Sequence, residues 1–152
     1  MEAFRDLGFK LEEEEGMGYC FNYEGLNLLY MYNENDEEFL NIALPGIVEV
    51  EEDRMLQICA LLEKINSTLK YVKTYMLGNS VWLFYERELF GEEDLMTVIS
   101  RMILHLEAGL VFARKAMAEI EETMANDSSD DDTAESAEEI VTEEIADDED
   151  IE

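Results

Sequence analysis

Histidine is almost missing from this chain of 152 residues: His105 is the single one, beside one proline, one tryptophan and two cysteines. With one imidazole, His-based metal clusters and Ser-His or Cys-His nucleophilic catalysis have little to work with. The glycines form neither a G-x-x-x-x-G-K-[ST] loop nor a G-x-G-x-x-G turn, which removes the usual phosphate-binding readings. Asn33 to Glu38 and Asp130 to Asp132 offer oxygen ligands, but lack the spacing and the sharp-turn glycine of a calcium loop. Carboxylate pairs are numerous only because acids are numerous, and nothing singles out a pair in a shaped, dry pocket. The sequence therefore predicts no enzyme, no catalytic residue, no metal site and no cofactor. Cys20 and Cys59 form no C-x-x-C pair and sit in apolar segments, which predicts reduced, buried thiols in a cytoplasmic protein. Met1 to Lys10 lacks the pattern of a signal peptide, and no run approaches the roughly 18 apolar residues of a membrane span.

Positive charge is the second scarcity. Ten Lys and Arg face 39 Asp and Glu, a net charge of −29. From Ala125 onward there are 14 acids and no base, so residues 1–124 hold 39 − 14 = 25 acids against 10 bases, a net of −15. Phosphate backbones and anionic lipid would be repelled, so neither nucleic acid nor membrane is expected as a partner, whereas a basic protein is. The aromatic set Tyr19, Phe21, Tyr23, Tyr30, Tyr32, Tyr71, Tyr75, Trp82, Phe84 and Tyr85 resembles a base-stacking surface. The charge argues against that use and assigns these rings to a core or a partner surface.

What is present in abundance is helical periodicity near the C-terminus. Across Glu92 to Met124, Leu95, Val98, Met102, Leu106, Leu110, Ala113, Met117, Ile120 and Met124 recur at three- and four-residue steps, one face of a helix. Between Met102 and Ala113 the strongly polar side chains are His105 and Glu107 alone, so the helix is apolar nearly all round and is expected to be covered on more than one side. Leu104, Val111 and Phe112 point away from the main stripe, and Gly109 and Ala116 would let a second backbone approach. Two readings stand open for this second surface, a wide core within one subunit or a subunit interface.

Taken in order, Met1 to Leu7 reads as a short helix stopped by Gly8, and Glu12 to Glu15 as a solvated approach to the first strand. Met17 to Tyr23 and Leu26 to Tyr32 form a hairpin about Glu24-Gly25, and Phe39 to Leu44 adds a third strand. Pro45-Gly46 ends the alternation, with Ile47 to Val50 left as an edge or a crossover. Asp53 to Ser67 places Met55, Ile58, Cys59, Leu62 and Ile65 at helical spacing. Tyr71 to Met76 and Ser80 to Leu89 pair through Gly78-Asn79. The class is α+β, in the order α-β-β-β-α-β-β-α, an antiparallel sheet packed by helices with a long C-terminal helix. Residues 1–124 form the domain. Residues 125–152 read as a disordered acidic tail, in which Ile140, Val141 and Ile145 could form a short helix on a partner.

That element order, the acidity, and Leu61-Leu62-Glu63-Lys64-Ile65-Asn66 followed by the Ser80 to Leu89 strand and an acidic helix start carry a resemblance over about residues 1–120. The chain resembles the type III secretion chaperone-like fold, shared by the Tir chaperone (CesT) type of secretion chaperone and the YbjN family of sensory transduction regulators. The chaperone side of the resemblance implies a homodimer whose apolar patches hold a partly unfolded client, with strand pairing adding affinity. The YbjN side implies a regulatory binding role. The resulting expectation is a protein-binding module that uses apolar surface of sheet and helices. The alternative is a small-ligand sensor with a cavity between the sheet and the long helix.

Overall fold

A computed structural model of the chain describes residues 1–146, with side chains described as far as Ser128. Helix α1 (Glu2–Asp6) is followed by strands β1 (Glu12–Glu14), β2 (Gly18–Tyr23), β3 (Leu26–Tyr30) and β4 (Phe39–Glu49). A 3-10 turn (Glu52–Arg54) leads into α2 (Met55–Thr68), and β5 (Val72–Leu77), β6 (Ser80–Glu88) and α3 (Leu95–Ala146) complete the order. The strands form one six-stranded sheet in the order β1-β2-β3-β4-β6-β5, every neighbouring pair antiparallel. The α+β class and the predicted order stand, with one strand added.

That added strand is Glu12–Glu14, which pairs with Gly18–Cys20 of β2 although all three of its side chains are acidic. Gly18 is obligatory at this corner: its φ is +139°, and a Cβ there would lie 2.0 Å from the Tyr30 carbonyl oxygen. The β2–β3 turn takes positive φ at both Glu24 and Gly25, the mirror-image turn that matches strand twist. In the β5–β6 turn only Gly78 does so. Strand β4 does not end at Pro45. It continues to Glu49 through a bulge between Leu44 and Val48, so the donor that proline lacks falls where the ladder is already interrupted.

One face of the sheet carries Phe21, Leu28, Leu40, Ile42, Leu44, Val72, Val81, Leu83 and Tyr85, all buried against the helices. The predicted stripe of α3 lies on it: Val98, Met102, Leu106, Leu110, Ala113 and Met117 are buried, Ile120 and Met124 half-buried, and Leu95 exposed. Helix α2 contributes Ile58, Leu61 and Ile65, which turns Cys59 outward to solvent, a correction to the expected buried thiol. Both cysteines are free.

Asp94 caps α3. Its carboxylate accepts from the Met96 amide (3.2 Å) and the Thr97 hydroxyl (2.6 Å), while its carbonyl accepts from the Val98 amide (3.0 Å). Just before it, Glu93 accepts from the amides of Phe90 and Gly91 (3.0 Å each) and from Arg87 at 2.8 Å. The loop is thereby folded onto the end of β6. The sequence predicts fraying from about Glu119 and disorder from Ala125, whereas the helix runs on to Ala146. Alanine and glutamate, both good helix formers, recur through that stretch. Ile140, Val141 and Ile145 lie on it beyond the described side chains, and Asp147 to Glu152 lie outside the described residues.

Candidate functional site: two uncovered apolar faces

Strand alternation sends Cys20, Leu29, Met31, Ala43, Trp82 and Phe84 to the other face of the sheet, where they form a separate apolar cluster that includes no helical residue. Phe84 is fully buried within it, under Tyr75 stacked at 4.1 Å between ring centroids and Trp82 at 5.9 Å. The Trp82 indole N–H is fixed by the Ser80 hydroxyl at 2.9 Å. Tyr75, Leu77 and Phe39 stay exposed around the cluster. The aromatic platform is thus rigid in its centre and open at its rim. A sheet face left to water is ordinarily polar, and this one is not.

Polar groups frame the platform. Glu86 accepts from Asn41 (2.8 Å) and pairs with Lys73 across β4, β6 and β5. Asn41 Oδ1 is buried and has no hydrogen-bond partner among the described residues. Next to it opens a cleft of about 580 Å³ lined by Met17, Met31, Tyr32, Phe39, Asp36 and Glu86 among others, with no basic residue in its lining. Tyr32 at its mouth donates to Glu37 at 2.8 Å, a bond that holds the phenol above its ordinary pKa. Cys20 is pushed up as well, first by burial and then by the nearby Glu14 and Glu12.

The second uncovered face is the outward side of α3. Leu104 is 52% exposed and Val111 63% exposed, as their phase in the helix predicts. Phe112 is half-buried and packs against the main core. Gly109 and Ala116 do not belong to this face. Ala116 is buried, and a Cβ on Gly109 would stand 3.4 Å from Val72 and Leu83, so both serve the close approach of α3 to the sheet. Beside Leu104, His105 contacts the rings of Tyr71 (5.1 Å) and Tyr85 (5.8 Å). Tyr71 is 64% exposed and held at φ +69°, a left-handed conformation that a tyrosine adopts at a cost.

No run long and apolar enough for a membrane span is expected from the sequence, and Leu95–Ser128 corrects this: by length and composition this helix is apolar enough to cross a membrane, with a window of mean hydropathy 1.5. Its inner side is committed to the sheet through Ile99, Met102 and Leu106, each almost wholly buried. This is the behaviour of a core helix that carries additional apolar residues on its outer side. These side chains fill the centre of the space between α3 and the sheet, while an open cleft of about 400 Å³ remains between β4 and α3, lined by Ile47, Val48, Arg54, Leu110, Met117 and Glu121 among others, and the 580 Å³ cleft lies on the other face.

A scan of known protein families gives no match to this chain, and no curated protein matches its sequence. Among solved structures, YbjN from E. coli, described there as a candidate transcription regulator, superposes with a TM-score of 0.57 at 14% identity. The alignment covers 75% of this chain and 87% of that one. The fold is that of YbjN. At this identity the likeness is one of fold alone, and it agrees with the secretion chaperone-like architecture expected from the element order. The roles of the aromatic platform and the outer face of α3 are read from this chain's own residues.

Proposed function

We propose that this chain is a non-enzymatic, cytoplasmic protein-binding module, chaperone-like or regulatory, that holds a basic, partly extended polypeptide on the helix-free face of its sheet. One observation carries the reading: a sheet face that should be polar bears Tyr75, Trp82 and Phe84 over Leu29 and Ala43, with exposed rings at its rim. Such a platform supplies desolvated aromatic contact, and the surrounding carboxylates favour a partner with Lys and Arg. A chaperone-like role and a regulatory role would each use the same bound polypeptide.

The test is affinity capture from native lysate with the intact chain and with Tyr75→Ala and Trp82→Ala, followed by mass spectrometry. A single near-stoichiometric protein that is lost with the platform variants is the expected result, with their far-UV circular dichroism unchanged. A partner retained equally by all three would remove the platform from the function. A second reading, a small-ligand sensor, draws on the cleft beside Asn41, whose unpartnered acceptor and neighbouring carboxylates suit an amine. It is favoured if simple alkylamines raise the melting temperature while no protein is captured.

A further inference from the structure

Where the bulge of β4 passes α3, two clefts adjoin. The larger, of about 400 Å³, has aliphatic walls of Ile47, Val48, Leu110 and Met117. The smaller, of about 210 Å³, opens between the β2–β3 turn and the bulge, with Leu26, Leu44 and Pro45 in its walls. Ile47, Leu110 and Arg114 line both, so the two form one groove with Arg114 at the junction. The sequence prepares it locally. Leu110 and Arg114 stand one helical turn apart and so share a side of α3. Pro45-Gly46 interrupts the ladder with β6, and at Gly46, held at φ +65°, a Cβ would meet nothing within 4 Å, as at Gly25 in the same cleft.

Charge in this groove departs from that of the surface around it. The domain has a net of −15, yet Arg114 is the one charged residue in the lining of the smaller cleft among the described residues. Its guanidinium makes no ion pair and no hydrogen bond among them. Arg54, in the larger cleft, is already engaged by Glu121 and by Glu51 at 3.5 Å. Asn27, in the smaller cleft, accepts from Asn22 at 3.1 Å, while its own amide N–H groups have no acceptor among the described residues. An uncommitted guanidinium and an uncommitted carboxamide therefore line one end of an aliphatic groove. One guanidinium matches one carboxylate in charge and in bidentate shape. A doubly charged phosphate would carry a second negative charge into the field of an acidic domain. Glu49 and Glu121, which line the larger cleft alone, repel a second anion there.

We propose that this groove binds an aliphatic monocarboxylate of the fatty-acid class, its carboxylate held by Arg114 and Asn27 and its chain laid along Ile47, Leu110, Val48 and Met117. The larger cleft alone falls within the roughly 300–1,000 Å³ of small-ligand sites. Because the groove is open, affinity is modest, on the order of 1 mM for an eight-carbon acid. The site lies on the helix side of the sheet, apart from the aromatic platform and from the cleft beside Asn41. Polypeptide capture and amine binding can therefore each fail without touching it, and the reverse holds as well.

The test is a proton–nitrogen NMR titration of the full chain with sodium octanoate, and with butanoate, 1-octanol and octanedioate as probes of chain and head group. Octanoate should give saturating shifts at the amides of Gly25, Gly46 and Ile47, while the Trp82 indole N–H on the platform stays fixed. Each added methylene strengthens binding about two- to fourfold, so butanoate should bind at least tenfold more weakly. The alcohol, which lacks the charge, and the diacid, whose second carboxylate meets Glu49 and Glu121, should each be at least fivefold weaker. Arg114 is exposed and unpaired, so Arg114→Gln leaves the fold intact, which circular dichroism verifies, and it should bring octanoate down to the level of octanol. An absence of shifts at Gly25 and Gly46 with octanoate at about 10 mM overturns the proposal. So does butanoate or octanol that binds as well as octanoate, or octanoate binding that is unchanged in Arg114→Gln.

Discussion

At the scale of single residues, Asp94 shows how a side chain can be legible in kind and not in detail. The acids Glu92 to Asp94 are recognisable in the sequence as a helix start, but which of them caps depends on geometry. Asp94 takes the cap, and Glu93 turns back to bind the Phe90 and Gly91 amides. Both carboxyls are held below their ordinary pKa, Asp94 first by the Thr97 hydroxyl and Glu93 first by the Phe90 amide. A carboxyl lowered in the folded state binds fewer protons than in the unfolded chain. Its stabilisation is therefore full above the ordinary carboxylate pKa and is lost as pH falls through the lowered one. Asp94→Ala should lower the melting temperature by a few degrees at neutral pH, and the difference from wild type should vanish under strong acid. A pH series of thermal melts checks it, and a constant difference across pH would assign the loss to something other than the ionised cap. Gly109 and Ala116 teach the opposite lesson. Their small size suggests an approach by another subunit, yet Gly109 follows Leu106 by three and precedes Ala113 by four, which places it on the inward stripe. The period held the answer, and side-chain size was the weaker signal.

Among the elements, β2, β3, β5 and β6 are legible because each sets apolar side chains against the helices, and β1 is missed because three glutamates on an edge bury nothing. That strand exists through its pairing with β2, a non-local fact. The other edge of the sheet has its own device. Asn66, at the end of α2, accepts from the Thr74 amide at 2.8 Å and donates to the Thr74 carbonyl at 3.0 Å. It occupies the outward-pointing backbone groups of β5 as a neighbouring strand would. Thr74 is the buried polar residue of the core and spends its hydroxyl on the Trp82 carbonyl, at 2.7 Å, so it has no spare group with which to shield that edge. Asn66→Ala removes both bonds and leaves an amide and a carbonyl half-buried and unpaired, which should cost about 1–3 kcal/mol in urea unfolding. Hydrogen exchange at the Thr74 amide should accelerate markedly, and the freed edge should promote aggregation. Asn66→Asp, which retains the acceptor and loses the donor, should protect the amide better than alanine does. Unchanged exchange at Thr74 in the alanine variant would mean that the bracket does not close the edge.

For the molecule as a whole, the scaffold was readable because element order, turn residues and two helical stripes all agree, and agreement across levels is what specifies a fold. The helix-free platform was not readable. Trp82 and Phe84 alternate with Val81, Leu83 and Tyr85, so the sequence shows β6 apolar on both sides without saying which side receives helices. The boundary of the folded part is the remaining question at this scale, since α3 continues to Ala146 while its buried and half-buried described residues end at Met124. The segment beyond Met124 holds 14 acids and no base, and removing it changes the net charge from −29 to −15. If its helix adds no packing, its main effect on the domain is repulsion, which acts over a Debye length of about 30 Å at 10 mM salt and about 3 Å at 1 M. A chain ending at Met124 should then fold and, at low salt, melt at or slightly above the full-length temperature. The two curves should converge as salt rises. Thermal melts of both chains across a salt series measure this directly. A truncated chain that melts far lower at every salt concentration would make the extension of α3 part of the folded core, with contacts that outweigh its charge.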